Sequence, residues 1–302
     1  MSKIILFYKY VDIQYPKRIA KWQQKICSDL QLKGRVIIAH EGINSTLGGT
    51  DQQIERYKRL MEQHELFGSI DFKESAGGAD CFPRLSIKVK NEIVRMGVDP
   101  AVLTIKQGGQ HLMPEKVHEL LNKNPEDLVI LDTRNRCESD IGAFQGALKA
   151  DIRYFREFPD YIDKNIDLFK DKQVLMYCTG GVRCERATAY LNVKNVAKKI
   201  YQLEGGIHRY IEKYPDGFFR GKNYVFDGRL SVASNEDILS RCALCQKTCD
   251  EYNNCLNASC NKHFVCCQGC KQQFHGTCGP ACQTLVSQAA VPIRPEFKVV
   301  KV

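Results

Sequence analysis

The sequence predicts a multidomain α/β protein, because three patterns follow one another along its 302 residues. Strand and helix signals alternate in the first part, repeated strand–helix units follow, and ten of the 15 cysteines lie after residue 240. A chain of this length folds as about two or three domains. We therefore predict domains at residues 1–97 and 113–227, joined by a connector at 98–112 and followed by a cysteine-rich tail at 228–302.

Residues 1–97 predict an α+β sandwich with an antiparallel sheet. Strands are predicted at 4–10, 35–40, 45–47, 70–73 and 85–89, with 92–95 continuing the last, and helices begin at Pro16 and near Asp51. The order β-α-β-β-α-β is that of a ferredoxin-like, or acylphosphatase-like, domain. A ligand-binding role for His40 or Asn44 is an alternative to a purely structural turn at Gly42.

Residues 113–227 predict a parallel sheet, because buried strand signals at 128–131, 148, 173–177 and 199–203 alternate with helical stretches. The connector before them shows a weak strand signal at 102–105. Ligands of such sheets lie outside the carboxyl ends of the strands. Acidic residues and one cysteine follow these strands, and we expect one face to collect them: Asp132, Asp151, Cys178 and Glu204.

The loop at 178–185 carries the features of an activated cysteine. Cys178 follows a buried strand, and a helix is predicted at 185–196. Glycines at this turn allow successive backbone N–H groups to form an anion-binding concavity, and a nearby cation favours the reactive thiolate. We predict Cys178 as the catalytic nucleophile, Arg183 as its supporting cation and Cys184 as a packing residue or second thiol. The amides of the intervening loop would form the anion pocket: Thr179, Gly180, Gly181 and Val182. The alternative is a buried structural cysteine beside a tight turn.

This part of the chain resembles a rhodanese domain. The resemblance rests on 132–134, Glu138, 142–147, the loop 178–183 and 203–206, with Tyr210 where such domains often have tryptophan. It implies sulfur carried as a persulfide on the loop cysteine. Related Cdc25-type phosphatases place five residues between cysteine and arginine. Only four separate Cys178 from Arg183, which favours sulfur or oxygen chemistry over phosphate transfer.

The tail has the cysteine spacing of structural zinc sites. Two CxxC pairs, and further cysteines around them, supply enough thiolates for two tetrahedral sites. Their spacing does not indicate which four cysteines share a site. The alternative ligands are Cys249, Cys266, His263 and His275. A tail with so few apolar residues needs metal to fold. The eight predicted ligands are Cys242, Cys245, Cys255, Cys260, Cys267, Cys270, Cys278 and Cys282.

The whole chain resembles the oxygen-dependent tRNA uridine hydroxylases. The resemblance includes 34–35, 41–44, 82–85, 90–94, the loop 178–185, 201–207 and 224–227, together with the cysteine-rich end. This chain differs from the common pattern of that family in having His40 and Gly228 at positions where acidic residues are common. The resemblance implies hydroxylation of the tRNA wobble uridine at ring carbon 5, with molecular oxygen as co-substrate and the loop cysteine essential. A thiolate adding to the uracil ring and an oxidised Cys178 sulfur delivering oxygen are alternative routes.

The charge and composition indicate the partner and the compartment. The net charge of +9 suggests a polyanionic partner such as RNA, here tRNA, although a basic solvated surface is the alternative. The sequence shows no signal peptide or membrane span, and thiol-rich chains are typical of the reducing cytoplasm. Two other functions remain open: a sulfurtransferase that passes a Cys178 persulfide to an acceptor, and a non-catalytic RNA-binding or sulfur-sensing module.

Overall fold

The structure, a computed structural model, describes residues 1–295 and 299–300, so 296–298 and 301–302 of the predicted tail 228–302 lie outside the described residues. The strands and helices of the first part are β1 Ser2–Tyr10, α1 Pro16–Asp29, β2 Lys33–Ala39, β3 Gly42–Thr50, α2 Asp51–Glu62, β4 Lys73–Ala76 and β5 Leu85–Val89. The sheet has the order β4-β1-β3-β2-β5.

This first unit is the predicted ferredoxin-like sandwich. Proline at the first position of α1 has a backbone angle that suits a helix start, and Thr50 caps α2 by a reciprocal pair of hydrogen bonds with Gln53. Both helices bury an apolar stripe against one face of the sheet. β1 lies between β3 and β4 and is antiparallel to both, whereas β5 adds a strand parallel to β2.

Two predicted strands of this unit are wrong. The strand expected at 70–73 begins only at Lys73, and 92–95 does not continue β5. The physical reason for the second error is that carboxylates replace a neighbouring strand as acceptors. The backbone N–H of Ile93 donates to Glu41, and that of Met96 donates to Glu92.

The second unit is built on a parallel sheet. Its strands and helices are β6 Gln110–Leu112, α3 Pro114–Lys123, β7 Leu128–Asp132, α4 Arg136–Ser139, β8 Gly142–Phe144, β9 Leu148–Lys149, α5 Phe158–Lys164, β10 Gln173–Tyr177, α6 Val182–Lys194, β11 Lys199–Leu203, α7 Gly206–Lys213 and β12 Phe219–Tyr224. The parallel strands have the order β6-β11-β10-β7-β9, and β12 pairs antiparallel with β8.

Part of the predicted connector belongs to this sheet. β6 lies within 98–112 and pairs with β11, while the weak strand expected at 102–105 is absent from the described structure. A hydrogen-bonded turn at 100–102 and a 3-10 turn at Ile105–Gln107 occupy that region instead. The domain boundaries 1–97, 113–227 and 228–302 remain predictions.

The tail folds around cysteines and docks on the second unit. Its elements are β13 Ser231–Ala233, β14 Tyr252–Asn254, β15 His263–Val265, α8 Gln268–Gln273 and α9 Pro280–Ser287. Buried cysteines and Phe264 form its small core. The Tyr252 hydroxyl donates to the Cys137 carbonyl at 2.6 Å, and Lys222 pairs with Asp250 at 2.8 Å. The tail is therefore fixed to α4 and β12.

The first two units meet through a buried ionic contact. Arg186 of α6 is fully buried, and its Nη1 lies 2.9 Å from Glu41 Oε2 of the first unit. Its Nη2 also donates to the Val98 carbonyl. A second contact joins Arg209 of α7 to Asp71. Within residues 1–295 and 299–300, no helix combines the length and apolar character needed to cross a membrane.

Candidate active site and metal centres

Cys178 lies where the central strand β10 ends and the loop to α6 begins. The loop is shorter than predicted, because α6 starts at Val182 rather than near Glu185. Gly181 makes this early start possible: its φ of 105° lies in a region that residues with a Cβ rarely adopt. Arg183 and Cys184 consequently project from the first turn of the helix and not from an extended loop.

The surroundings of Cys178 stabilise its thiolate. The side chain is 1% exposed, and burial alone would raise the pKa of the thiol. That effect is outweighed by the hydrogen bond from Cys184, the charge of Arg183 and the N–H groups of Arg183 and Gly181, which lower the pKa to about 5. The Gly181 N–H lies 3.1 Å from the Cys178 Sγ. Cys178 is therefore ionised at neutral pH.

Arg183 is held by a buried carboxylate. Its two terminal nitrogens donate to the two oxygens of Glu138 at 2.5 and 2.7 Å, and Nη2 also lies 3.3 Å from the Thr179 hydroxyl. This bidentate pair fixes the guanidinium in one orientation. Glu138 itself is completely buried in the short helix α4. Glu138, one of the rhodanese-like residues of the sequence, is thus the partner of Arg183.

Cys184 is a protonated neighbour of Cys178. It is fully buried, its Sγ lies 3.8 Å from the Thr133 hydroxyl, and the Thr133 hydroxyl also donates to the Tyr177 carbonyl. Burial and the adjacent Cys178 thiolate both raise the pKa of Cys184. Cys184 thus both packs the loop and donates a hydrogen bond to the reactive sulfur.

The acidic residues at the strand ends do not all face the loop. Asp132 is buried and accepts hydrogen bonds from Arg134 and from the Tyr177 hydroxyl, so it is a structural carboxylate. Asp151 is exposed and pairs with Arg136. Glu204 lines a cleft beside the loop. The expectation that one face would collect all four residues is therefore only partly met.

The first unit covers the cysteine loop, a contact that the sequence does not predict. β1 presents Leu6 and Tyr8 to the loop, and a Cβ on Gly180 or Gly181 would lie 2.8 Å from Leu6 or 2.7 Å from the Tyr8 hydroxyl. The same hydroxyl donates to Glu185 Oε1 at 2.8 Å. Alternation along β1 marks Leu6 and Tyr8 as one face of the strand, but no local signal identifies what that face contacts.

The turn at Gly42 has the structural role that the sequence favours. The Asn44 side chain donates to the Ile93 carbonyl at 3.0 Å, and His40 Nδ1 lies 3.0 Å from the Ile13 carbonyl. Gly228 donates its N–H to the Cys81 carbonyl, which joins the start of the tail to the first unit. A Cβ at Gly228 would lie 2.8 Å from that carbonyl oxygen, so an acidic residue does not fit this backbone without movement.

The eight predicted cysteine ligands form two separate groups. Within each group all four sulfur atoms lie within 4.8 Å of one another. Sγ–Sγ distances are 3.6 Å for Cys245–Cys267 and for Cys260–Cys278. A tetrahedron with Zn–S bonds of about 2.3 Å has edges of about 3.8 Å, so the sulfur spacing fits zinc. The groups are Cys242, Cys245, Cys267 and Cys270, and Cys255, Cys260, Cys278 and Cys282.

Hydrogen bonds to the sulfurs support this assignment. The Cys278 N–H lies 3.4 Å from Cys255 Sγ, and the Asn257 amide lies 3.3 Å from Cys282 Sγ. Donors of this kind stabilise metal-bound thiolates. The alternative ligands Cys249, Cys266, His263 and His275 belong to neither group among the described residues. His263 instead stacks on Tyr252 with ring centroids 4.2 Å apart.

Three family models match successive parts of the chain. A "UPF0176 acylphosphatase like domain" matches residues 2–93, a "Rhodanese-like domain" matches 113–213, and a "Rhodanase C-terminal" model matches 220–283. The first two correspond to the two five-stranded sheets, and the third includes all eight cysteines of the two groups.

Curated relatives match along nearly the whole chain. A protein of Corynebacterium jeikeium named tRNA uridine(34) hydroxylase is 38% identical over 288 residues, covering 92% of this chain and 93% of that protein. A tRNA uridine(34) hydroxylase of Corynebacterium aurimucosum is 38% identical and covers 96% of this chain and 99% of its own length. One from Onion yellows phytoplasma is 38% identical, with coverages of 92% and 91%.

Proposed function

The chain belongs to the tRNA uridine(34) hydroxylase family, and we propose that it hydroxylates uridine 34 of tRNA with Cys178 as the reacting thiolate. The observation that carries this proposal is that the similarity to the named relatives spans all three parts of the chain, including the loop with the buried, ionised Cys178. A tRNA substrate supports the cytoplasm as the compartment of the reaction. The positive net charge of the chain suits a polyanionic substrate.

The reaction converts a ring C–H group into C–OH, and we place it at carbon 5. Its balance requires one oxygen atom from molecular oxygen, while the second leaves as water after two electrons arrive from a reductant. Two routes give Cys178 a role: its thiolate adds to the uracil ring and makes carbon 5 electron-rich, or its oxidised sulfur delivers the oxygen atom. In both routes the Arg183 charge and the N–H groups of Gly181 and Arg183 stabilise negative charge on the sulfur.

Two structural zinc ions complete the proposed protein. All-thiolate sites are closed, so these ions stabilise the tail and take no part in the reaction. Their ligands alternate along the chain: the first and third cysteine pairs form one site, and the second and fourth form the other. This interleaving joins the tail into a single unit.

Nucleoside analysis tests the function directly. Total tRNA nucleosides from a deletion strain are measured by mass spectrometry after complementation with the wild-type protein, with Cys178→Ser or with Cys249→Ser. We expect 5-hydroxyuridine derivatives to be restored by the wild type and by Cys249→Ser, whose sulfur lies in the tail and in neither cysteine group, and to stay absent with Cys178→Ser. Unchanged tRNA nucleosides on deletion, together with rapid thiosulfate-to-cyanide transfer by the purified protein, would establish the sulfurtransferase instead.

A further inference from the structure

A cleft of about 420 Å³ lies beside the cysteine loop, where the first two units meet. Its wall includes Tyr8 and Tyr10 of β1, and its other side is formed by residues of the second unit such as Lys106, His111 and Glu204. Ligand pockets generally measure about 300–1,000 Å³, and a nucleotide fits within that range. The cleft is therefore formed by both units, and neither unit contains it alone.

Tyr8 connects this cleft to Cys178. One side of its ring lines the cleft, and its hydroxyl is next to Gly181, whose N–H donates to the Cys178 sulfur. The hydroxyl also donates to Glu185, which accepts a second hydrogen bond from Gln202 at 3.0 Å. Because Cys178 is 1% exposed, side chains that cover it have to move before a ligand in the cleft can touch the sulfur, and Tyr8 lies against the same loop.

The charges of the cleft suit a nucleotide. Within the described part of the chain, Lys9 and Lys106 form no ion pair, so their ammonium groups are free to contact phosphate. Lys73, in contrast, is paired with Asp71. Glu204 is exposed and also unpaired in the described structure, so it can accept the N3–H of uracil. Tyrosine rings supply apolar surface for the base.

We propose that this cleft binds the target uridine, and that Tyr8 is the positioning residue between the bound base and Cys178. The inference rests on the proposed function, since it names where that substrate binds. Enzymes that modify a base in RNA take it out of its stack into a pocket, and the cleft beside the loop is large enough for one base. Tyr8 closes the pocket over the sulfur through its bond to Glu185 and opens it by releasing that bond.

Photocrosslinking locates the base. The full chain is mixed with an anticodon stem-loop RNA that carries 5-iodouridine at position 34, irradiated, digested and sequenced by mass spectrometry. We expect crosslinks at Tyr8 or Tyr10. Crosslinks confined to the separate cleft formed by 14–18, His40 and Val89 would overturn the proposal, as would an absence of crosslinks to β1.

Two variants test the roles of the residues. Tyr8→Phe keeps the ring but loses the bond to Glu185, and we expect iodoacetamide to alkylate Cys178 about threefold or more faster than in the wild type. The matched control is Tyr15→Phe, an exposed tyrosine outside the cleft, and should leave the rate unchanged. Lys106→Ala should raise the KM for the stem-loop several-fold at unchanged kcat, and should reduce the salt dependence of binding by about one phosphate contact.

The outcomes separate this inference from the proposed function. Wild-type protein that hydroxylates the stem-loop, with Tyr8→Phe alkylated at the wild-type rate and Lys106→Ala having a wild-type KM, would refute the cleft and leave the function standing. Wild-type protein that crosslinks through β1 but forms no hydroxylated product would refute the function instead. Exposed Lys123 lies outside the cleft, so Lys123→Ala controls for loss of charge.

Discussion

At the scale of the residue, several neighbouring groups each stabilise the negative charge on the Cys178 sulfur. Glu138 holds the Arg183 guanidinium in position, and the Cys184 thiol donates a hydrogen bond to the Cys178 sulfur. Burial opposes all of them. The pKa of Cys178 therefore depends on effects of opposite sign, and removal of one hydrogen-bond donor should change that pKa measurably.

Cys184 gives the sharpest test of this balance. Cys184→Ala removes a hydrogen-bond donor to the thiolate, so we expect the pKa of Cys178 to rise from about 5. Because the thiolate is the form that reacts, alkylation of wild-type protein is lost only as the pH falls through about 5, and the variant should lose it at a higher pH. The pH dependence of the alkylation rate measures the shift.

Serine at the same position is the matched control. Cys184→Ser retains a hydroxyl donor of similar size and should keep the midpoint of the pH profile closer to that of the wild type. A profile of Cys184→Ala that coincides with the wild type would show that Cys184 only fills space. Arg183→Gln should raise the midpoint as well, since it removes the adjacent positive charge.

The sequence identified the chemical residues of this site more completely than their surroundings. Cys178, Arg183 and Glu138 follow from local motifs in which a few residue types recur at fixed spacing. Tyr8 could not be found in this way, because its partner Glu185 is 177 positions away. Contacts between separate units depend on how two surfaces dock, and the periodicity of a strand shows only that a face is covered.

At the scale of the element, the cysteine spacing of the tail predicts which residues are ligands but not which four of them share a site. Spacing indicated eight thiolates, and the structure divides them so that Cys242 and Cys245 share a site with Cys267 and Cys270. A sequence cannot give this division, because any two of the four pairs could meet. The predictions of strands at 70–73, 92–95 and 102–105 were wrong for a related reason: a short apolar run does not specify which neighbouring strand it pairs with.

Metal content tests the two groups. Elemental analysis of the purified full chain should give two zinc ions per molecule, and Cys245→Ser, which removes a ligand from one site, should reduce this to about one. Cys249→Ser serves as the control, because Cys249 lies beside the core of the tail but in neither group, and should retain both ions. Equal losses in the two variants would refute the assignment of ligands.

At the scale of the whole molecule, Arg186 is the main polar contact between the first two units. It is fully buried, and its partners Glu41 and Glu92 are nearly so. Burial raises the pKa of Glu41, whereas the Glu41 bonds to the Ile93 N–H and to Arg186 lower it. The charges of the two units therefore compensate one another only when the units are docked.

Replacing this arginine should weaken the whole molecule. Arg186→Leu leaves two enclosed carboxylates without their cation, and we expect the free energy of unfolding to fall by about 3–5 kcal/mol. Arg209→Leu, which removes the more exposed contact with Asp71, should cost at most about 1 kcal/mol. Urea unfolding followed by the fluorescence of Trp22, the one tryptophan of the chain, measures both. Similar losses in the two variants would contradict this assignment.

The hydrogen bond from Tyr252 to the Cys137 carbonyl limits how independently the parts of this chain can evolve. Tyr252 lies between the cysteine pairs of the tail, and Cys137 immediately precedes the carboxylate that holds Arg183. A substitution that shifts β14 is therefore transmitted, through one peptide unit, to the cation of the cysteine loop. We therefore expect a tail exchanged between relatives to keep the position of Arg183 only when α4 is exchanged with it.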